Sequence, residues 1–327
     1  MKSTGKFIIS LDFELLWGMR DKHSTETYCQ NILGVWEVLP KMIKIFEDFN
    51  VKGTFATVGF LFASNKKELI KYCPENKPKY LNPNLSPYEG HFDLVKKDEK
   101  HDKFHFASDL IALLQKYPNQ EIASHTFSHY YCLEKGQTVD DFRNDIIAAQ
   151  KISSAKNLTL RSLVFPRNQF NKEYLGCLTE LGITSFRGNE NIWFHKPSNG
   201  KGESLFKRGF RLVDRYINIS GHNCYDMKTI SEKRPYNIPA SRFLSPFSPK
   251  LRILENLRFK RVKKSMTYAA KTNKIFHLWW HPHNFSINQE ENFKFLGKIL
   301  RHYKYLNKKF AFESLTMKEL SSMIENK

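Results

Sequence analysis

Two histidines stand four apart in Gln120-Glu-Ile-Ala-Ser-His125-Thr-Phe-Ser-His129, and two acids stand two apart in Phe7-Ile-Ile-Ser-Leu-Asp12-Phe-Glu14. On a turn or helix, His125 and His129 present their rings to one side, as two ligands of one metal must. Asp12 and Glu14 close an apolar run. Where a strand ends the chain can turn, so that one acid binds a metal while the other stays free as a base. The spacing leaves open which acid does which. Together the pairs describe a two-histidine, one-carboxylate site with open positions for water, as in metal-dependent hydrolases.

Two further clusters close later apolar runs. Ile275-Phe-His277-Leu-Trp-Trp-His281-Pro-His283-Asn-Phe285 brings three imidazoles and two indoles to one strand end. Strand alternation turns His277, Trp279 and His281 to the same side, and one of the histidines is expected to act as a general acid. Leu163-Val-Phe-Pro-Arg167-Asn168-Gln169 offers a guanidinium and two amides. Arg167, set as a fixed cation beside a carboxylate, would hold the base ionised and aligned.

The elements needed to gather these residues are legible as alternating short apolar runs and helical patterns, the mark of repeated βα units. Strands are expected over 6–11, 53–58, 121–124, 160–165, 183–186, 212–219, 274–280 and 309–312. Helices are expected near 35–49, 64–72, 107–117, 138–156, 171–181, 251–270, 289–307 and 316–325. Thr138-Val-Asp-Asp141 and Thr316-Met-Lys-Glu319 read as capping boxes. The continuous apolar character of Phe7–Leu11 implies a parallel sheet or barrel buried on both faces. Residues 73–106, with four prolines followed by the charged run Lys96–Lys103, fit neither period and read as a long surface insertion. The whole of 1–327 is expected to be one catalytic domain.

Composition narrows the function class. The chain has 327 residues, 41% hydrophobic, with 27 phenylalanines, enough for a large core. No apolar stretch is long enough for a membrane span, and the first apolar run is too short and too soon interrupted by an acid for a signal segment. The expected location is cytoplasmic. Cys29, Cys73, Cys132, Cys177 and Cys224 are scattered and odd in number, so reduced thiols and no disulfides are expected. The net charge is +19, and residues 242–274 hold ten Lys/Arg against one acid, Glu255. Such a segment suits phosphate or an anionic membrane face. No zinc-finger, RRM-like or helix-turn-helix pattern points to specific nucleic acid.

The order of the motifs resembles the NodB-type polysaccharide deacetylases. Ile9-Ser-Leu-Asp12-Phe-Glu14 is similar to that family's first motif in an Asp-x-Glu variant, and Thr54-Phe-Ala-Thr-Val-Gly59 to its second strand. Ser124-His125-Thr-Phe-Ser-His129 is similar to its His-Ser/Thr-x-x-His motif. Val164-Phe-Pro-Arg-Asn168 and Trp280-His281-Pro-His283 stand where its third and last motifs stand. The resemblance runs from about Lys6 to Phe312. It implies an α/β fold, an irregular (β/α)7-type barrel, and one divalent metal, zinc first, with iron, cobalt or nickel also admitted by the donors.

The same resemblance implies Asp12 as base, Glu14, His125 and His129 as ligands, and His281 as acid. Arg167 would assist, while Asn168, Trp279, Trp280 and His283 would contact substrate, with Phe285 completing an apolar wall. Phe13 separates the acids, and Pro166 precedes Arg167, where the family has adjacent aspartates and the reverse order. The implied activity is removal of an N-acetyl group from an amino sugar in surface-polysaccharide (O-antigen or capsule-type) biosynthesis. The sugar would be nucleotide- or lipid-linked, with peripheral contact at the inner membrane face. Competing expectations are a related hydrolase of a small C–N substrate and a catalytically silent glycan-binding barrel.

Overall fold

The computed structural model describes residues 4–193, 205–230 and 232–326. In chain order the elements are β1 (Lys6–Phe13), α1 (Cys29–Leu33), α2 (Val35–Asp48), β2 (Thr54–Thr57), α3 (Lys66–Tyr72), α4 (Ser108–Gln115) and β3 (Glu121–Ser124). Next come α5 (Val139–Ser154), β4 (Ser162–Val164), α6 (Leu175–Glu180), β5 (Ser185–Arg187), α7 (Leu205–Asp214), α8 (Met227–Ile230), β6 (Tyr236–Asn237) and β7 (Arg242–Phe243). The chain closes with α9 (Glu255–Lys271), β8 (Ile275–Trp280), α10 (Gln289–Phe310), β9 (Glu313–Leu315) and α11 (Met317–Glu325).

The strands form one parallel sheet in the order β6-β5-β4-β3-β2-β1-β8-β7, with β9 paired to the start of β1. A parallel sheet needs cover on both faces, and every residue of β1 is buried. The sheet curls until its two edges are bridged by a few residues. Ile238 N–H donates to Phe186 O at 2.9 Å and Ala240 N–H to Gly188 O at 2.9 Å on one edge, while Ser241 N–H donates to His277 O at 2.8 Å on the other. The result is the irregular (β/α)7-type barrel expected from the motifs.

Helices pack outside it through apolar stripes, such as Val38, Leu39, Met42, Ile43 and Phe46 of α2. Both capping boxes form, at Thr138/Asp141 and Thr316/Glu319. Among the described residues no helix is long and apolar enough to cross a membrane. All five cysteines are free thiols.

Three expectations shift, and two strands have no counterpart among them. Residues 212–219 are not a strand: they are the end of α7 and the turn after it. Helix α10 runs through Phe310, so the last strand begins at Glu313 rather than 309. The two-residue strands β6 and β7 are too short to carry any period. Arg242, Arg258 and Arg261 of the basic segment are buried, and two of them pair with Asp214 (3.2 Å from Arg242, 3.4 Å from Arg261), which thins the expected anionic-partner surface there.

The 73–106 insertion also does more than cover surface. It packs on the carboxyl end of the barrel: Tyr80 Oη accepts from Tyr131 N–H at 2.9 Å, and the carbonyl of His105 accepts from the Trp17 indole at 2.9 Å.

Candidate active site

The chemistry-bearing residues collect at the carboxyl ends of the strands, where parallel barrels build their sites. Asp12 and Glu14 come from the end of β1, and His125 and His129 follow β3. Asn168 follows β4, Arg187 ends β5, and His281 follows β8. Five non-glycine residues at this rim take left-handed φ: Leu15 (45°), Thr126 (62°), His129 (56°), Arg167 (54°) and Asn168 (53°). Such residues cost roughly 1–3 kcal/mol each and persist where surrounding contacts hold them, typically at functional sites.

Glu14, His125 and His129 are buried, and one ligand atom from each lies within 4.8 Å of the others. Glu14 Oε2 stands 3.3 Å from His125 Nε2 and 3.1 Å from His129 Nε2. His125 Nδ1–H donates to the Val164 carbonyl at 2.8 Å, which turns the Nε2 lone pair toward the carboxylate oxygen. Two lone-pair atoms then face each other, and His125 Nε2 has no hydrogen-bond partner although it is buried. A cation between them removes that conflict, so the donors fit a divalent metal of the zinc class.

Gly18 sharpens the fit. A Cβ there would lie 2.0 Å from the Glu14 carboxyl carbon, so only glycine leaves the carboxylate its seat. Burial raises the Glu14 pKa, but His281 first, and the contact from His129 Nε2 at 3.1 Å, outweigh it and hold the group well below the usual carboxylate range. Burial also drives His129 down to about 3, so its ring is neutral and able to ligate.

Asp12 is held differently. Arg187 grips it with both arms, Nη1 to Oδ1 at 2.6 Å and Nη2 to Oδ2 at 2.7 Å. The guanidinium is itself fixed by Ser10 Oγ (3.0 Å) and Asn168 Oδ1 (3.0 Å), and lies 4.2 Å from the centre of the Trp279 ring. Behind it His277 Nδ1–H donates to Ile238 O at 3.1 Å, so Nε2 accepts from the Ser10 hydroxyl at 2.8 Å. Burial would raise the Asp12 pKa, but Arg187 above all, with His125, keeps it below the usual value and the carboxylate ionised. His281 faces both acids, its Nε2 3.7 Å from Asp12 Oδ2 and 3.7 Å from Glu14 Oε1, and is 23% exposed, the open side of the site.

The geometry separates the two acids that the spacing left open, and it reassigns several partners. The cation beside Asp12 is Arg187, not Arg167. Arg167, at a left-handed φ of 54°, instead pairs with Asp21 and stacks 4.3 Å from the Tyr131 ring centre. Asn168 Oδ1 accepts from Arg187 Nη2 at 3.0 Å and anchors the clamp. Trp280 points out of the barrel, fully buried against Phe285 and Phe46, so neither Trp280 nor Phe285 can line a sugar. His283 is buried behind His281, ring centres 4.9 Å apart, and burial drives its pKa down to about 3. Trp279, half-buried and on the inner side, remains at the site.

Two contributors were not read from the sequence. Arg187 ends the run Ile183-Thr-Ser-Phe-Arg187, the same strand-end position as Asp12, which is the signal that would have found it. Asp145 sits on the buried stripe of α5 with Phe142 and Ile146 and accepts from the backbone N–H of Phe127 (2.6 Å) and Ser128 (3.1 Å). It fixes the loop that carries the two histidines. An acid on an apolar stripe was the available sign.

No protein-family model and no curated protein sequence matches the chain. Solved structures do. A Mycobacterium smegmatis protein described as a polysaccharide deacetylase aligns over 100% of this chain and 92% of its own, with TM-score 0.60 and 11% identity. A Pseudomonas aeruginosa PAO1 protein described in the same way aligns over 98% and 91%, with TM-score 0.54 and 10% identity. The fold is that of the NodB-type polysaccharide deacetylases.

Proposed function

We propose that the protein is a metal-dependent carbohydrate N-deacetylase. The observation that carries this reading is the pair of differently held carboxylates under one histidine: Glu14 with His125 and His129, Asp12 clamped by Arg187, and His281 3.7 Å from both. Amide hydrolysis needs a group to take a proton from water, a cation where charge develops on the acyl oxygen, and an acid for the leaving nitrogen.

A divalent ion held by Glu14, His125 and His129 would supply Lewis acidity to the water and to the acyl oxygen. Asp12 accepts the proton as the water oxygen bonds to the acetyl carbon, and Arg187 keeps its oxygens aimed and ionised. His281 then delivers a proton to the nitrogen as the C–N bond breaks, leaving acetate and a free amine. The Ser10–His277–Ile238 chain behind Arg187 keeps the clamp in place during both proton transfers. Trp279 offers the ring face a pyranose needs.

The finer reading is a cytoplasmic step in surface-polysaccharide biosynthesis of the O-antigen or capsule type, on a nucleotide- or lipid-linked sugar; the basic surface suits either carrier. The test is a mass-spectrometric search for loss of one acetyl group from N-acetylated sugar nucleotides and lipid-linked sugars, with and without chelator. Chelator-sensitive acetate release is expected. A metal-loaded protein that releases acetate from none of them would overturn the proposal.

A further inference from the structure

The two histidines beside Glu14 are held from behind in different ways. His125 Nδ1–H donates to a backbone carbonyl, that of Val164, at 2.8 Å. Among the described residues, His129 Nδ1 meets two side chains instead: Tyr131 Oη at 3.2 Å and Arg20 Nη1 at 3.4 Å. A guanidinium can only donate, whereas a phenol hydroxyl both donates and accepts. Of the two, only Tyr131 can take a proton from Nδ1.

That proton matters for ligation. A neutral imidazole that ligates through Nε2 carries its hydrogen on Nδ1, and the partner of that N–H sets the ring's orientation and basicity. In the hydrogen bond to Glu14 Oε2, at 3.1 Å, His129 Nε2 is the donor, so Nδ1 of the same ring accepts. Ligation reverses these roles: Nε2 gives up its proton as an ion arrives, one settles on Nδ1, and the ring stays neutral. Rotation of one hydroxyl serves both tautomers. Tyr131 O–H donates to Nδ1 in the first and its oxygen accepts from Nδ1–H in the second.

The tyrosine is firmly seated. It is fully buried, and its ring stands at 86° to that of His129, centres 5.2 Å apart. Its backbone N–H donates to Tyr80 Oη at 2.9 Å. The guanidinium carbons of Arg20 and Arg167 lie 5.0 and 4.3 Å from its ring centre, within the range of cation–ring attraction. Arg20 is itself fixed by the carbonyls of Trp17, at 2.6 Å, and Leu85. Tyr80 and Leu85 both belong to the 73–106 insertion, which thereby reaches the ligand loop.

We propose that Tyr131 is the positioning residue of His129, its hydroxyl accepting Nδ1–H and so fixing the tautomer that ligates a divalent ion. The assignment rests on the metal-dependent reading of the site and adds a residue to it.

Tyr131→Phe keeps the ring and removes the hydroxyl, leaving Nδ1–H against Arg20, donor against donor. Chelator competition on the full chain, with zinc and with cobalt, should give a Kd raised about ten- to a hundredfold, the range for losing a ligand's outer partner. Tyr130→Phe is the control, because that hydroxyl, on the same loop, bonds to Gln137 Oε1 (2.6 Å) and Thr138 O (2.9 Å) rather than to a histidine. Its Kd should match the wild type. Nitrogen-15 histidine spectra of the zinc-loaded wild type should show His129 protonated at Nδ1. Equal metal affinity in Tyr131→Phe and wild type overturns the proposal, as does an equal loss in Tyr130→Phe or an unprotonated Nδ1. A wild type that takes up neither ion overturns the proposal and the metal site together. Metal binding without acetate release from any sugar would sink the deacetylase reading alone.

Discussion

The two sides of the barrel rim solve opposite problems. At the ends of β1 and β3, Glu14, His125 and His129 are buried, and their carboxylate and imine atoms face one another, an arrangement that a cation completes. At the ends of β5 and β8, the charge is already neutralised: Arg187 closes on Asp12, and His281, 23% exposed, stands 3.7 Å from both acids. One side is built to lack a cation and the other already contains one. Two acids two residues apart thus acquire different chemistry from their neighbours alone. Substitution on each side should therefore fail in a different way.

The largest effect belongs to the ligand side. Glu14→Gln keeps the shape but removes the charge that offsets a divalent ion. It is expected to lose bound metal in elemental analysis and to reduce turnover to background. Retention of one metal per chain would break the division between the sides.

On the other side Asp12→Asn should retain metal and lower kcat by about two to four orders of magnitude, in keeping with general-base contributions. His281→Ala should lower kcat similarly, again with metal content unchanged. A variant of either kind that lost metal instead would show that the ion is shared across the rim.

The third prediction separates the histidine that faces the acids from the one behind them. Burial, and then Arg187, drive the His277 pKa down to about 3, against an ordinary value near 6.5. As pH falls from about 6.5 toward 3 the unfolded chain takes up this proton first. The neutral ring's contribution is thus full above 6.5 and is lost at roughly 1.4 kcal/mol per pH unit below it. Urea unfolding of chelator-treated protein should show that acid slope, and His277→Gln should flatten it. An unchanged slope would mean that other groups govern acid stability.

These contrasts explain what was legible in the sequence. The five residues Asp12, Glu14, His125, His129 and His281 each follow an apolar run, so strand ends announced them. The barrel was legible for the same reason, since its strands are buried on both faces and read as apolar runs. Arg187 follows a three-residue strand and has no paired motif, and its role fell to Arg167, whose left-handed φ is invisible in sequence. Residues 212–219 resemble a strand because Leu212, Val213, Tyr216, Ile217 and Ile219 are branched or aromatic residues packed closely in sequence across the end of α7 and the turn after it. Substrate contacts were the least legible, because a strand end brings both its faces to the rim and only one of them opens inward.

The smallest effect tests that last point. Trp279 and Trp280 are adjacent on β8, and strand geometry sends them to opposite faces. Trp279 touches Arg187 and Phe243 on the site side, while Trp280 is 0% exposed among Phe285 and Phe46. Trp280→Ala should cost about 3–5 kcal/mol in unfolding free energy, the range for a large aromatic removed from a packed core. Its KM should stay within error wherever the protein is folded, because the cavity opens toward α2 rather than toward substrate. Trp279→Ala removes a ring face from the site, so KM should rise about tenfold, consistent with one lost stacking contact of about 1.4 kcal/mol. Equilibrium unfolding and initial-rate kinetics on both variants separate the outcomes. Reversal of the two, with KM moved by Trp280→Ala and stability by Trp279→Ala, would mean that β8 is out of register by one residue and that His281 does not face the acids.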